Sequence, residues 1–127
     1  MKVLQENALD ERIQEIRKKY DPFWRLYGPW LEEANKAAKA MGQKDYRERN
    51  KLPNYQKGEG LKTGLSILVC NWERGCSFEE IVTILQRQYD GMMEDKEPLR
   101  ALSVNLILED LLAETLQPLQ LTNMLKE

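Results

Sequence analysis

The chain has 127 residues, of which 42% are hydrophobic and 31% are charged, with a formal net charge of −2 at pH 7. This balance is typical of one globular domain over residues 1–127 and argues against wholesale disorder. Because the chain contains no histidine, Ser-His-Asp and Cys-His activation of a nucleophile are excluded, and so is any histidine-ligated metal site. It also lacks a Gly-rich phosphate loop, so the sequence predicts no catalytic residue, no metal site and no cofactor.

The expected location is the cytoplasm. The longest unbroken aliphatic stretches, such as residues 67–69, are far too short to cross a bilayer, so no membrane association is predicted. The first residues turn polar without the apolar segment of a secretory signal. The two cysteines, Cys70 and Cys76, form no disulfide framework and fit a reducing compartment.

The first predicted helix begins at Asn7, a favourable N-cap residue, and ends at Asp21-Pro22. Its apolar residues recur at i, i+4, i+7 and i+11, the spacing of one helical face. They are Leu9, Ile13, Ile16 and Tyr20.

The second predicted helix opens with Pro22, a residue suited to a first helical turn, and stops at Gly42. Gly28-Pro29 interrupts it, so the pattern predicts either one kinked helix or two short ones. Its start is rich in aromatic residues, namely Tyr20, Phe23, Trp24, Tyr27 and Trp30. Helical spacing favours a core role for this stripe. The alternative is a partner-binding surface anchored by Tyr20, Trp24, Tyr27 and Trp30.

Residues 43–59 have no periodic apolar pattern and are predicted to form a polar connection. The region is basic, since residues 36–62 hold eight basic and three acidic residues. A basic segment with interleaved tyrosines is able to follow a phosphate backbone and stack bases, here within residues 44–62. The candidate contacts are Lys44, Arg47, Arg49, Lys51, Tyr55 and Lys57. A solvated loop or a protein-contact surface is the favoured alternative, because Asp45 and Glu48 lie among the bases.

Two further helices are predicted on either side of a turn at Gly75. The third helix carries its apolar residues on one face, and these are Leu61, Leu65, Leu68, Val69 and Trp72. Ser77 and Glu80 have the spacing of a capping box that starts the fourth helix. That helix is predicted to stop near Gly91, and its inward residues are Phe78, Ile81, Val82, Leu85 and Tyr89.

Together these two helices have the outline of a helix-turn-helix over residues 65–87, with a glycine in the turn. Asn71 replaces the small apolar residue that lets such helices pack closely. Glu79 and Glu80 lie at the end of the helix that would approach DNA. An ordinary corner between two helices is therefore the favoured interpretation, and a DNA-reading corner at 75–87 is the alternative.

The fifth predicted helix begins at Pro98 and runs to about Leu116, and Pro118 opens a last short helix. The fifth helix is apolar on more than one face, through Leu99, Leu102, Val104, Leu106, Ile107, Leu108, Leu111 and Leu112. A helix with so wide an apolar surface is either central to its bundle or buried against a second chain. Since few residues remain to cover it, the sequence predicts a homodimer through the C-terminal helices.

Acidic pairs at residues 32–33, 79–80 and 109–110 are predicted to be solvated, because neighbouring side chains on a helix diverge by about 100°. Asp110 and Glu114 do share a face, but without the histidines of di-metal bundles. Cys70 is expected to be half-buried. Cys76, close to the positive end of the fourth helix, is a candidate for redox sensing.

The sequence thus predicts an all-α bundle of five or six helices. The predicted function is non-catalytic, that of a helical adaptor, inhibitor or regulatory protein acting through protein–protein contacts. The alternative is a nucleic-acid-binding regulator that uses residues 44–62 or the corner at 65–87. An enzyme ranks third, because no set of nucleophile, base and orienting residue can be assembled.

Overall fold

Five helices account for most of residues 6–40 and 52–118, the part of the chain that this computed structural model describes. In chain order they are α1 (Glu6–Lys19), α2 (Asp21–Ala40), α3 (Pro53–Glu73), α4 (Phe78–Glu94) and α5 (Pro98–Leu112). No strand occurs in these ranges, and the predicted all-α fold is confirmed. The predicted stop at Gly42 and the predicted helix beyond Pro118 lie outside the described residues.

One cluster of buried apolar side chains draws members from all five helices. It contains the whole of the first predicted apolar face, with Leu9, Ile13 and Ile16 from α1 and Tyr20 from the position directly after it. The helix α5 packs most extensively against α3 and α4 and also touches α1. Val104 and Ile107 on α5 are fully buried as a result. The wide apolar surface of α5 is therefore covered mainly from within the chain.

The first two helices are separated by Tyr20 alone, and Pro22 lies in the first turn of α2, as predicted. The helix α2 continues through Pro29 as one helix rather than two short ones. At the other end, α1 begins at Glu6, so Asn7 lies inside its first turn and is not the cap residue that the sequence predicted.

The predicted polar connection over residues 43–59 is wrong at its C-terminal end, because α3 begins at Pro53. Gly58 and Gly60 therefore lie inside a helix and not in a loop, and both are buried. A Cβ atom at Gly60 would lie 2.5 Å from the carbonyl oxygen of Arg100. Glycine at this position lets the backbones of α3 and α5 approach each other closely.

The corner between α3 and α4 follows the local sequence signals. Gly75 has a φ of +84°, in the left-handed region that glycine adopts without strain. Ser77 caps α4, and its capping box with Glu80 is complete. The predicted stop at Gly91 is wrong, since α4 runs on to Glu94.

The last helix begins at Pro98, as predicted, but it ends at Leu112 and not near Leu116. Ala113 has an extended backbone, with a φ of −67° and a ψ of 143°, and this ends the helix. None of the helices in the described ranges combines the length and the apolar composition that crossing a bilayer requires.

Candidate functional site

A groove of about 670 Å³ lies between the α1–α2 junction and the middle of α3. One wall comes from α1 and the start of α2, with Gln14, Arg17, Lys18, Asp21 and Trp24. The other wall comes from α3, with Leu65, Ser66, Val69 and Cys70. Ligand pockets commonly enclose about 300–1,000 Å³, so the groove is large enough to hold part of a ligand.

The spacing of the first wall explains how α1 serves both the core and the groove. Gln14, Arg17 and Lys18 follow i, i+3 and i+4 on one face of α1, and Asp21 and Trp24 continue the wall on α2 beyond the junction at Tyr20. The core face of the same helix runs through Ile13 and Ile16, which are fully buried. The groove is therefore held on a helix whose orientation the core already determines.

Trp24 stands out in the groove because 48% of its surface is exposed. Its ring centroid lies 5.0 Å from that of Phe23, which is fully buried. It also stacks on Tyr27 with the centroids 6.1 Å apart. The indole is thus supported by buried aromatic rings, while about half of its surface is available for contact.

Arg17 and Lys18 are exposed cations in the same wall, and neither has an ion-pair partner among the described residues. The wall contains one acidic residue, Asp21, whose carboxylate lies 3.9 Å from Arg25. The groove therefore combines an exposed aromatic ring, aliphatic side chains and a small excess of positive charge. That combination suits a ligand with an apolar part and carboxylates beside it.

Of the four aromatic residues predicted to bind a partner, Trp24 alone is exposed. Tyr20, Tyr27 and Trp30 are buried, with 1%, 8% and 8% of their surfaces exposed. These three belong to the core, which was the favoured interpretation of the aromatic stripe. Helical spacing does not distinguish Trp24 from its neighbours, because all of them lie within three turns of each other.

The two buried tyrosines of the stripe each donate a hydrogen bond to a carboxylate. The Tyr20 hydroxyl donates to Oδ2 of Asp110 at 2.5 Å, and the Tyr27 hydroxyl donates to Oε2 of Glu59 at 2.9 Å. Burial, reinforced by these hydrogen bonds, raises the pKa of both phenols above the ordinary value of 10.0. Both tyrosines are held as neutral donors inside the bundle.

The prediction that Asp110 lies on a solvated face is wrong, because this residue is buried. Lys19 Nζ lies 2.6 Å from its Oδ1 atom. The backbone around it is also bound, since the Arg12 guanidinium donates to the carbonyl oxygens of Asp110, Ala113 and Glu114 at 2.7, 2.5 and 3.0 Å. Arg12 and Lys19 thus supply hydrogen-bond donors to the acceptors at the C-terminal end of α5. This cluster therefore stabilises the packing of α5 against α1.

The residues predicted to contact a nucleic acid fall into two groups. Lys44, Arg47, Arg49 and Lys51 lie outside the described residues. Tyr55 and Lys57 lie in α3, and each has 7% of its surface exposed. Burial removes these two side chains from the exposed basic surface that the sequence predicted.

In the corner between α3 and α4, Glu79 and Glu80 are exposed. The backbone N–H of Ser77 donates to Oε1 of Glu80 at 3.0 Å, and the backbone N–H of Glu80 donates to Oγ of Ser77 at 3.2 Å. The bonds with Ser77 lower the pKa of the Glu80 carboxyl below its ordinary range. A charged carboxylate thus occupies the end of α4 that would have to approach phosphate.

The two cysteines lie in different surroundings. Cys70 is exposed and lines the groove, contrary to the prediction that it is half-buried. Cys76 is half-buried beside Asn71, with its Sγ atom 3.9 Å from Oδ1. Over residues 6–40 and 52–118, no three acidic or cysteine side chains gather closely enough to hold a metal ion.

Compared with known proteins, the chain matches no family model, no curated protein and no solved structure at a significant level. The interpretation of the groove therefore depends on its own residues. These are an exposed tryptophan, two cations that have no ion-pair partner in the described part of the chain, and a wall from α3 that includes Val69.

Proposed function

We propose that this protein is a non-catalytic adaptor or regulatory protein that binds a segment of another protein in the groove beside Trp24. The main support for this proposal is the Trp24 indole. Its exposed fraction is 48%, although the ring packs against the buried aromatic rings of Phe23 and Tyr27. Tryptophan is enriched among the few residues that dominate binding energy at protein interfaces. A ring that is already positioned loses little conformational freedom when a partner covers it.

Two observations favour a protein over a nucleic acid as the partner. Asp21 lies in the groove wall between the cations and Trp24, and a nucleic-acid backbone, which carries a negative charge at every nucleotide, would bring phosphates to the Asp21 carboxylate as well as to the cations. At the corner between α3 and α4, the exposed Glu79 and Glu80 oppose phosphate in the same way. A polypeptide segment is able to place apolar and acidic groups where the groove has complementary ones.

The test uses Cys70, which is exposed in the α3 wall of the groove. A photo-crosslinker is attached to Cys70 in a Cys76→Ser background and irradiated in a nuclease-treated extract of the cells that make the protein. We expect one discrete crosslinked protein, which is lost when Trp24→Ala is introduced. After purification, this protein should bind the Trp24→Ala variant at least about tenfold more weakly, as for a central interface residue.

Met93→Ala is the matched control, because Met93 is 47% exposed and does not line the groove. Crosslinking should be unchanged in this variant. A crosslinked protein that is captured equally well by Trp24→Ala, or only when nucleic acid is present, would contradict the proposed function.

We also propose that two copies pair through the outer face of α5. Leu102 is 51% exposed, and Leu99 and Leu106, one turn away on either side, are half-buried. Light scattering at micromolar concentration measures the mass directly. A dimer that reverts to the 14.9 kDa of one chain in Leu102→Glu supports this pairing, and 14.9 kDa for the parent protein at every concentration contradicts it.

A further inference from the structure

We infer that the segment bound in the groove is an amphipathic helix that carries acidic residues beside its apolar face. This inference rests on the proposed protein-binding function and adds the chemistry of the bound segment. Three features support it: apolar surface on both walls, two cations that have no ion-pair partner within residues 6–40 and 52–118, and walls whose lining residues all lie in helices.

The apolar surface comes from both sides of the groove. Trp24 contributes the exposed indole from α2, and the half-buried Val69 contributes an aliphatic group from α3, whereas Leu65 is a core residue with 5% of its surface exposed. Because Trp24 and Val69 line one groove, a bulky apolar side chain inserted between the walls contacts both of them. A ligand that fills the groove therefore needs an apolar stripe.

The charge of the groove determines what lies beside that stripe. Arg17 and Lys18 are exposed and have no ion-pair partner in the described part of the chain. Asp21, the acid of this wall, lies 3.9 Å from the Arg25 guanidinium. Carboxylates on the ligand next to Arg17 and Lys18 would complete two ion pairs. Such exposed pairs orient a ligand and select it more than they add raw affinity.

The walls also determine the backbone of the ligand. The middle of α3, which forms the second wall, has its backbone groups hydrogen-bonded within the helix, so this wall offers side chains only. A strand bound there would bury unpaired N–H and C=O groups, since strands are normally recognised by the open edge of a sheet. A helix, in contrast, forms its backbone hydrogen bonds internally and avoids this cost. The first wall runs from Gln14 on α1 to Trp24 on α2 across the junction at Tyr20, so a helix bound along it contacts side chains of both helices.

The first experiment selects ligands without assuming a sequence. The full-length protein is used as bait for a library of displayed peptides that contains helix-favouring, extended and proline-rich members. We expect enrichment of helix-favouring peptides with apolar residues at i, i+4 and i+7 and with Glu or Asp beside them. The same selection with the Trp24→Ala variant should not enrich them. Enrichment of extended, proline-rich or basic peptides overturns the inference, and so does the absence of any enrichment.

The second experiment measures the charge directly by fluorescence anisotropy of one selected peptide. The double variant Arg17→Gln/Lys18→Gln should bind the acidic peptide about tenfold more weakly at low salt, as expected for the loss of two exposed ion pairs. A peptide with Gln in place of its acidic residues should bind both proteins equally. Added salt should weaken binding of the acidic peptide only. Lys36→Gln/Lys39→Gln, two exposed lysines of α2 outside the groove, is the matched control and should bind as the parent does.

The outcomes separate this inference from the function it rests on. If Trp24→Ala abolishes binding of the crosslinked protein but Arg17→Gln/Lys18→Gln binds it normally, the inference that the ligand is an acidic helix is wrong. The proposed protein-binding function then still holds. If Trp24→Ala binds that protein as the parent does, both fail. Tight binding of single-stranded DNA that requires Trp24, Arg17 and Lys18 assigns the groove to nucleic acid and overturns both. Because these side chains are exposed, the variants should fold, and circular dichroism verifies that they do.

Discussion

The hydroxyl of Tyr20 donates a hydrogen bond to Oδ2 of Asp110 at 2.5 Å, although 90 residues separate them along the chain. Lys19 Nζ binds the other oxygen of the same carboxylate at 2.6 Å. The Lys19 and Asp110 side chains are only 11% and 10% exposed. This network joins the α1–α2 junction to the last turn of α5, and so it connects the first two helices to the last one.

Removing the carboxylate should destabilise the protein strongly. We expect Asp110→Ala to lower the free energy of unfolding by about 3 kcal/mol, because the Lys19 ammonium is left nearly buried without its partner. Tyr20→Phe keeps the ion pair and should cost about 1.5 kcal/mol. Urea denaturation measures both. Tyr89→Phe is the control, since the half-buried Tyr89 has no hydrogen bond from its hydroxyl among the described residues. A loss in Tyr20→Phe no larger than in this control would contradict the assigned hydrogen bond.

The raised pKa of the Tyr20 and Tyr27 phenols makes stability depend on alkaline pH. Below pH 10.0, the ordinary pKa of a tyrosine phenol, both the folded and the unfolded state keep the proton. The two phenols then make their full contribution to the free energy of unfolding. Above this pH the unfolded state loses the proton while the folded state retains it, so the free energy of unfolding should fall as pH rises. Urea midpoints measured from about pH 8 to pH 12 test this. The decline should be shallower in Tyr20→Phe, and an equal slope would show that Tyr20 ionises normally.

Arg12 should be the most important cation for stability, because it is 8% exposed and binds three carbonyl oxygens at the end of α5. We expect Arg12→Ala to cost about 3 kcal/mol, since one buried and two partly buried carbonyl oxygens lose charge-assisted hydrogen bonds. Arg12→Lys should recover less than half of this loss, because an ammonium lacks the planar fork of donors. Arg17→Ala, a change at an exposed arginine of the same helix, should stay within about 0.5 kcal/mol of the parent.

Two helical glycines should respond in opposite directions to alanine. At Gly60 a Cβ would lie 2.5 Å from the Arg100 carbonyl oxygen and 2.8 Å from Ser103 Cβ, so Gly60→Ala should cost at least about 2 kcal/mol. At Gly91 no atom lies within 4 Å of the added Cβ. Gly91→Ala should therefore raise the free energy of unfolding by about 0.5–1 kcal/mol through helix propensity. Thermal unfolding of both variants checks the prediction, and a Gly60→Ala variant as stable as Gly91→Ala would refute the close approach of α3 to α5.

The hydroxyl of Ser77 in the capping box should contribute more to the free energy of unfolding than the hydroxyl of an ordinary surface serine. Ser77→Ala should lower the free energy of unfolding by about 1 kcal/mol, because the backbone N–H of Glu80 loses its acceptor. Ser66→Ala is the control, since Ser66 is exposed within α3. Equal unfolding midpoints for the two variants would show that the Ser77 hydroxyl does not hold the start of α4.

Much of the local architecture was predictable because its causes lie within a few residues. The buried face of α1 follows from apolar residues that recur every three or four positions. Gly75, Ser77 and Pro98 determine a turn, a cap and a helix start through their own backbone and side-chain chemistry. Predictions failed where a local signal was ambiguous, as at Gly58 and Gly60, which suit a loop as well as a close contact between helices.

Apolar periodicity and the helix-start residues were enough to predict a helical chain, the apolar face of α1 and the beginning of most helices. They could not predict that Asp110 is buried, that α5 is covered mainly from within the chain or that Trp24 is exposed among buried aromatic residues, because packing between the helices produces these features. The physical reason is that helical periodicity depends on neighbours up to four positions away. Burial depends on which helices meet, and the groove forms from residues of α1 and α3 that lie about fifty positions apart.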